Sequence, residues 1–167
     1  IVQISINYGG HDTSAALSID NEIVAAAEQE RYDLIKHSRN FPIDAINSCL
    51  KKSKLKLSEV DRLILTTDFK AAIFLNESDR IKKHFNIEEK IRKELKFKGQ
   101  IDTFDHHLCH LASAYYPSGF NKSIVLSIDG VGQFETGKLA IAKNGQIKVC
   151  KFDADYPHSL GLIYSAI

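Results

Sequence analysis

No run in this 167-residue chain approaches the roughly 20 consecutive apolar residues of a membrane-spanning helix, so no span and no membrane partner are expected. The opening residues Ile1-Val2-Gln3 do not have the form of a secretory signal, and a cytoplasmic address is expected. Cysteine is scarce. Cys49, Cys109 and Cys150 are odd in number, far apart and form no CxxC pair, which excludes a disulfide framework and fits a reducing compartment. An excess of one charge is missing too: 22 lysines and arginines face 21 aspartates and glutamates. No strong field draws nucleic acid or an anionic surface, and the basic stretch Lys51 to Lys56 reads as the solvated end of a helix.

What the chain does have is a 44% hydrophobic composition, enough for a buried core without disulfide staples. Apolar alternation predicts strands over Val2 to Tyr8, Ser14 to Asp20 and Ile23 to Glu28, with Asp20-Asn21 turning a hairpin. Pro42 starts a helix that runs to Lys52 with Ile43, Ile46 and Leu50 on one face, and a strand follows over Arg62 to Thr67. Ser78 to Lys96 reads as a charged helix carrying Ile81, Phe85, Ile91 and Leu95, with Asn86 as a candidate break. A short strand, Gln100 to Phe104, leads into a histidine-rich helix that Pro117-Ser118-Gly119 ends. Ser123 to Asp129 reads as a strand with a strongly apolar inner stretch, and Lys138 to Ala142 and Gln146 to Phe152 form a hairpin about Asn144-Gly145. The chain starts on a strand pattern without methionine and stops in a helical one at Tyr164 to Ile167, so a fragment of a longer protein is expected.

Sliding the sequence on itself by 122 positions, which sets Ser127 against Ser5, superposes two strand-loop-strand units without a gap. Ile6 meets Ile128, Gly10 meets Gly132, and Leu17-Ser18-Ile19 meets Leu139-Ala140-Ile141. An α/β duplication follows, with residues 1–122 as a first subdomain and 123–167 as the truncated start of a second. Each unit puts a glycine loop between strands, where Gly10 in one and Gly130 and Gly132 in the other let backbone N–H groups approach phosphate. A plain tight turn remains the alternative.

The residues with chemistry cluster around these loops. His106 and His110 lie one helical turn apart and can grip one metal ion, while His107 points elsewhere. Cys109 reads better as a buried small residue than as a ligand or nucleophile. Asp129, at a strand end, can complete a metal shell or position a metal-bound phosphate, and it can also be a simple turn carboxylate. Two imidazoles and a carboxylate suit Fe(II), Zn(II) or Mn(II) without choosing between them. His11 can act as a general base toward a hydroxyl, because histidine's ordinary pKa of about 6.5 is near working pH, and Asp12 can orient it. Asp12 and Thr13 can equally serve backbone donors. Lys36 and Arg39 can bind phosphate or polarise a carbonyl, or form a solvated loop. Ser159 and Gly161 either line a nucleotide cleft or cap a helix.

Several motifs agree in order and spacing: Gly10-His11-Asp12-Thr13-Ser14-Ala15-Ala16, Glu28-Gln29-Glu30-Arg31, Lys36-His37, Phe41-Pro42, His106-His107 with His110, Ala112-Ser113-Ala114 and Asp129-Gly130. Together they resemble the N-terminal part of the carbamoyltransferases of the nodulation-protein-U type, which serve antibiotic and Nod-factor biosynthesis and are related to the carbamoyltransferase region of the hydrogenase maturation protein HypF. The segment His158 to Tyr164 resembles the stretch after that family's second hairpin. The resemblance implies an actin-like ATPase (ASKHA, ribonuclease H-like) fold. It implies a divalent metal, iron first with zinc or manganese as alternatives, on His106, His110 and Asp129 and a further aspartate beyond Ile167. It implies His11 as the base that deprotonates an acceptor hydroxyl and Lys36 as a contact of carbamoyl adenylate. In that family a separate YrdC-like domain, not visible here, makes the adenylate from ATP and carbamoyl phosphate, so this region alone is expected to be inactive. The expected partners are a nucleotide and a small-molecule or sugar hydroxyl acceptor, with a homodimer among the assemblies. The competing readings are an ATPase or small-molecule kinase of the same fold and a non-catalytic nucleotide-binding module.

Overall fold

The computed structural model describes residues 1–68, 77–150 and 154–167, with residues 77–85 described as backbone alone. Packing divides the chain into two compact units, Ile1–Thr67 with Ile81–Phe104, and Asp68–Arg80 with Asp105–Ile167. The border at residue 122 marks where the duplicated sequence restarts; packing draws its line earlier, before the histidine helix, because that helix packs on the second sheet. No helix among the described residues is long and apolar enough to cross a membrane.

The first unit is built on a five-stranded sheet of order β3-β2-β1-β4-β5, formed by β1 (Val2–Asn7), β2 (Ser14–Ile19), β3 (Glu22–Glu28), β4 (Arg62–Leu65) and β5 (Gln100–Thr103). The first three strands form an antiparallel meander, and β4 and β5 run parallel to β1 and to each other. Asp20 and Asn21 both take positive φ, as a two-residue hairpin turn demands. Alternate residues of a strand share a face, so Ile4 and Ile6 line up with Leu17 on one side and Leu63 and Leu65 on the other. All five are buried. Helix α1 (Glu30–Asp33) is a single turn that the sequence pattern did not announce, and α2 (Ile43–Lys52) packs across β2 and β3, burying Ala45, Ile46, Cys49 and Leu50. Helix α3 (Glu77–Leu95) is continuous through Asn86, the candidate break, and it buries Ile91 and Leu95. The expected apolar roles of Ile81 and Phe85 lie outside the described residues, as does Phe152 at the end of the last expected strand.

The second unit holds α4 (His106–Tyr115), a three-stranded antiparallel sheet of β6 (Lys122–Ile128), β7 (Gly137–Lys143) and β8 (Gln146–Val149), and α5 (Leu160–Ala166). Its first hairpin repeats the register of the first unit. Ile4 pairs with Leu17 and Ile6 with Ala15, and at the same offset Leu126 pairs with Leu139 and Ile128 with Gly137. The duplication seen in the sequence is thus a duplication of strand pairing.

The two units cover opposite faces of these matched sheets. In the first, the face of Ile4 and Leu17 is the buried one. In the second, Val125, Ala140 and Ala142 are buried with Leu111 and Tyr115 of α4, while Ile124, Leu126, Ile128 and Ile141 stay exposed. The strongly apolar inner stretch of β6 is therefore buried only at alternate residues, because a single helix covers one side of the sheet.

Replacing Ile4 by alanine removes a side chain that is 0% exposed and is expected to cost about 2–5 kcal/mol. Its repeat counterpart Leu126, 50% exposed, is expected to cost under about 1 kcal/mol. Urea titrations of the two variants check this, and equal losses would contradict the difference in cover.

Candidate functional site

Asp105 starts the histidine helix: its side chain accepts a hydrogen bond from Leu108 N–H at 2.7 Å, as an N-cap does. The N–H of His106 donates to Gln133 Oε1 at 2.6 Å. Lys138 of β7 reaches Asp105 at 3.0 Å and Glu135 at 2.9 Å, so the helix start is tied to the sheet by charge as well. Burial works against the Lys138 charge, but the bonds to Glu135 and Asp105 outweigh it and raise its pKa.

On this helix His106 and His110 face each other with Nε2 atoms 3.0 Å apart. Asp129, the residue after β6, places Oδ2 2.8 Å from His106 Nε2 and 3.4 Å from His110 Nε2. Its other oxygen accepts from Gly130 N–H at 2.6 Å. The three donor atoms lie within 4.8 Å of one another. Ligand bonds of about 2.0–2.2 Å in a tetrahedral shell set donors about 3.4 Å apart, so the trio fits a divalent cation. The donor chemistry fits as well. His106 Nε2 faces both a carboxylate and a second imidazole Nε2, and one ring hydrogen cannot serve three such atoms, whereas one cation can.

Burial, followed by repulsion from His110, lowers the pKa of His106 in spite of its bond to Asp129. For Asp129, burial raises the pKa, but the bonds from His106 and Gly130 prevail and hold it below the usual carboxylate range. Both shifts favour the forms that ligate metal. Cys109, next to the trio in sequence, is different: burial and the neighbouring Asp105 push its thiol up to about 11.

Of the two readings of Ser159 and Gly161, the helix cap is present, and both residues bear on Asp129. Ser159 caps α5 by accepting from Leu162 N–H at 3.0 Å and donates its hydroxyl to the Asp129 carbonyl at 2.8 Å. A Cβ on Gly161 would come within 2.5 Å of the Asp129 and Gly130 backbone, so this position must be glycine for α5 to rest there. Gly132 has a related reason, since its Cβ would sit 2.7 Å from the His107 ring. Its N–H donates to the Glu135 carbonyl at 3.0 Å and that of Gly130 to Asp129, so in this structure both expected phosphate donors are engaged within the loop. Gly10 has open space around it.

In the first unit, the loop between β1 and β2 carries His11 and Asp12, and the chain after α1 brings a partner that sequence reasoning missed. Asp12 accepts from His11 Nδ1 at 2.6 Å through one oxygen and from His37 Nδ1 at 2.8 Å through the other. Those two bonds lower its pKa. Glu30 holds the backbone N–H of His37 at 3.0 Å, and Asn7 donates to the His11 and Asp12 carbonyls. Gln29, buried, receives the N–H groups of Asp44 and Ala45 at the start of α2. The motif Glu28 to Arg31 thus anchors a helix and a histidine. Lys36 and Arg39 are exposed, with no ion pair among the described residues.

A thiol with a pKa of about 11 is protonated at neutral pH, so alkylation of Cys109 by iodoacetamide in the folded protein is expected to keep accelerating as pH rises toward that value. Peptide mapping by mass spectrometry checks it. A rate already level below pH 8 would show a thiolate and make Cys109 a candidate ligand.

The sequence matches the family model "Carbamoyltransferase N-terminus" over residues 1–76 and 67–167. An uncharacterized protein of Synechocystis sp. is 34% identical over 192 residues, covering 99% of this chain and 31% of that protein. Nodulation protein NolNO of Sinorhizobium fredii is 33% identical over 168 residues, covering 92% of this chain and 24% of that protein. The chain thus spans about a quarter to a third of the length of these relatives. Among solved structures, YeaZ from Pseudomonas aeruginosa superposes with a TM-score of 0.55 at 12% identity, over 93% of this chain and 67% of that one. HypF of T. kodakarensis gives 0.51 at 12% identity, over 89% of this chain and 18% of that one. These likenesses identify an actin-like ATPase fold, in agreement with the duplicated sheets. The chain belongs to the carbamoyltransferase N-terminal family.

Proposed function

We propose that the protein is an O-carbamoyltransferase, to which this chain contributes a metal-ligating trio and a base-bearing loop. The observation that carries the reading is the convergence of His106, His110 and Asp129 on one point, in a chain of the carbamoyltransferase N-terminal family. Transfer of a carbamoyl group to a hydroxyl needs a base for the hydroxyl proton and positive charge for the leaving group and the developing oxyanion.

His11 suits the first task. Its Nδ1 is turned to Asp12, which leaves Nε2 to take the acceptor's proton as oxygen attacks the carbamoyl carbon and the bond to the leaving group breaks. Asp12 orients the ring, and its lowered pKa keeps it ionised for that role. Lys36, an exposed cation one residue before His37, suits contact with the phosphate of a carbamoyl adenylate made from ATP and carbamoyl phosphate elsewhere in the full-length protein. His106, His110 and Asp129 would hold the divalent metal, Fe(II) first, with Zn(II) or Mn(II) as alternatives, and the metal would supply Lewis-acid charge. The imidazole pair favours this reading over a sugar kinase of the same fold, because Mg²⁺ takes oxygen ligands. The acceptor is a hydroxyl of a small molecule or sugar.

In the full-length protein, His11→Gln is expected to lower carbamoyl transfer by about 10²–10⁴-fold while adenylate formation persists. A coupled assay that follows both half-reactions checks it, and undiminished transfer would remove the base role. His106→Ala and His110→Ala are expected to strip the metal, read by elemental analysis of the purified proteins. Unchanged metal content in both would remove the trio.

A further inference from the structure

His107 is the histidine of the cluster that the proposed chemistry leaves without a task, yet it is the most constrained of the three. Its ring is 0% exposed. Nε2 lies 2.8 Å from the Glu135 carbonyl, which can only accept, so Nε2 carries the hydrogen. Nδ1 then takes the Ser127 hydroxyl, also at 2.8 Å. Both bonds leave α4, one ending on β6, the strand that leads to the third ligand, and the other on the loop between β6 and β7. Ser127 lies on β6, two residues before Asp129, which follows the end of that strand.

Glu135 closes the frame. Its carbonyl also accepts from Gly132 N–H at 3.0 Å, and its carboxylate holds Lys138, which bridges to the N-cap Asp105. The ring of His107 meets that of His106 edge to face, 5.6 Å between centres. A Cβ on Gly132 would come 2.7 Å from His107 and 3.2 Å from His106, so only glycine lets the loop pass this close to both rings. The duplicated fold does not by itself call for this bond, since Ser5, the repeat counterpart of Ser127, lines an open cavity of about 520 Å³ in the first unit.

We infer that His107 is a positioning residue of the metal centre: bonded to Ser127 and to the Glu135 carbonyl, it sets the spacing between the imidazoles of His106 and His110 and the carboxylate of Asp129. It does not itself ligate. The inference rests on the metal reading above and extends it to a residue that never touches the ion.

The test is the metal affinity of the full-length protein, measured by competition with a chromophoric chelator and by the Co(II) absorption spectrum. His107→Phe keeps a planar aromatic ring, slightly larger, and removes both bonds; it is expected to weaken affinity about 10–100-fold while the Co(II) band keeps the intensity of an unchanged ligand set. Ser127→Ala, which removes one bond and barely alters packing, is expected to lose less. His107→Gln, whose amide N–H can still reach the Glu135 carbonyl, is expected to recover part of the loss. If His107→Phe does not fold, the Ser127→Ala and His107→Gln affinities decide. Wild-type affinity in folded His107→Phe, or in Ser127→Ala together with His107→Gln, overturns the positioning role alone. A changed ligand set on loss of His107 also overturns it, by making the residue a ligand. A wild-type protein that takes up no metal overturns the metal reading and this inference with it.

Discussion

The candidate metal centre depends on how the first turn of α4 is held against the end of β6. Two ligands of the trio stand on the helix and the third follows the strand, so the site exists only while those backbones keep one spacing. Six bonds from four residues or caps keep it: the Asp105 cap, Gln133 on the His106 N–H, Lys138 to two carboxylates, and His107 to Ser127 and to Glu135. From the other side, Ser159 and Gly161 press α5 onto the Asp129 backbone. Donor atoms already near ligand spacing mean that little ordering entropy is left for binding to offset.

The duplication explains why such a site can arise beside a plain counterpart. Both units use the same hairpin register, but the first buries the face of Ile4 and Ile6, whereas the second buries the face on which Ser127 and Lys138 stand opposite each other. Choosing the opposite face brings α4 over polar and small residues, and polar groups enclosed there must be partnered. His107 and Lys138 are those partners. The other loop, with Asp12 between His11 and His37, draws a comparable arrangement from a different source, since His37 arrives from the segment after β3 and is held by Glu30.

Much of the fold was legible in the sequence because its signals are local. Strand alternation, the turns Asp20-Asn21 and Asn144-Gly145, and the repeat offset all survive in the pairing. The i, i+4 spacing suggested His106 and His110 as a pair and the strand-end place made Asp129 a candidate, while the family resemblance joined the three, whose donor atoms do lie together in space. What was not legible depended on contacts between segments distant in the chain. The role of His107 needs Ser127 and Glu135, that of His37 needs Asp12, and Gly132 and Gly161 reveal their reason only when a ring or a backbone is seen against them. The sequence left the continuity of α3 through Asn86 open for a simpler reason: Asn86 is a weak helix former, and it does not break a helix whose later turns bury Ile91 and Leu95.

The central claim is that two imidazoles and one carboxylate of this chain hold a metal, with the neighbouring thiol and third histidine outside the shell. X-ray absorption on the metal-loaded full-length protein reads that shell directly. The account predicts scattering from two imidazole rings with only nitrogen and oxygen in the first shell; a sulfur shell near about 2.3 Å, or a third imidazole, would contradict it.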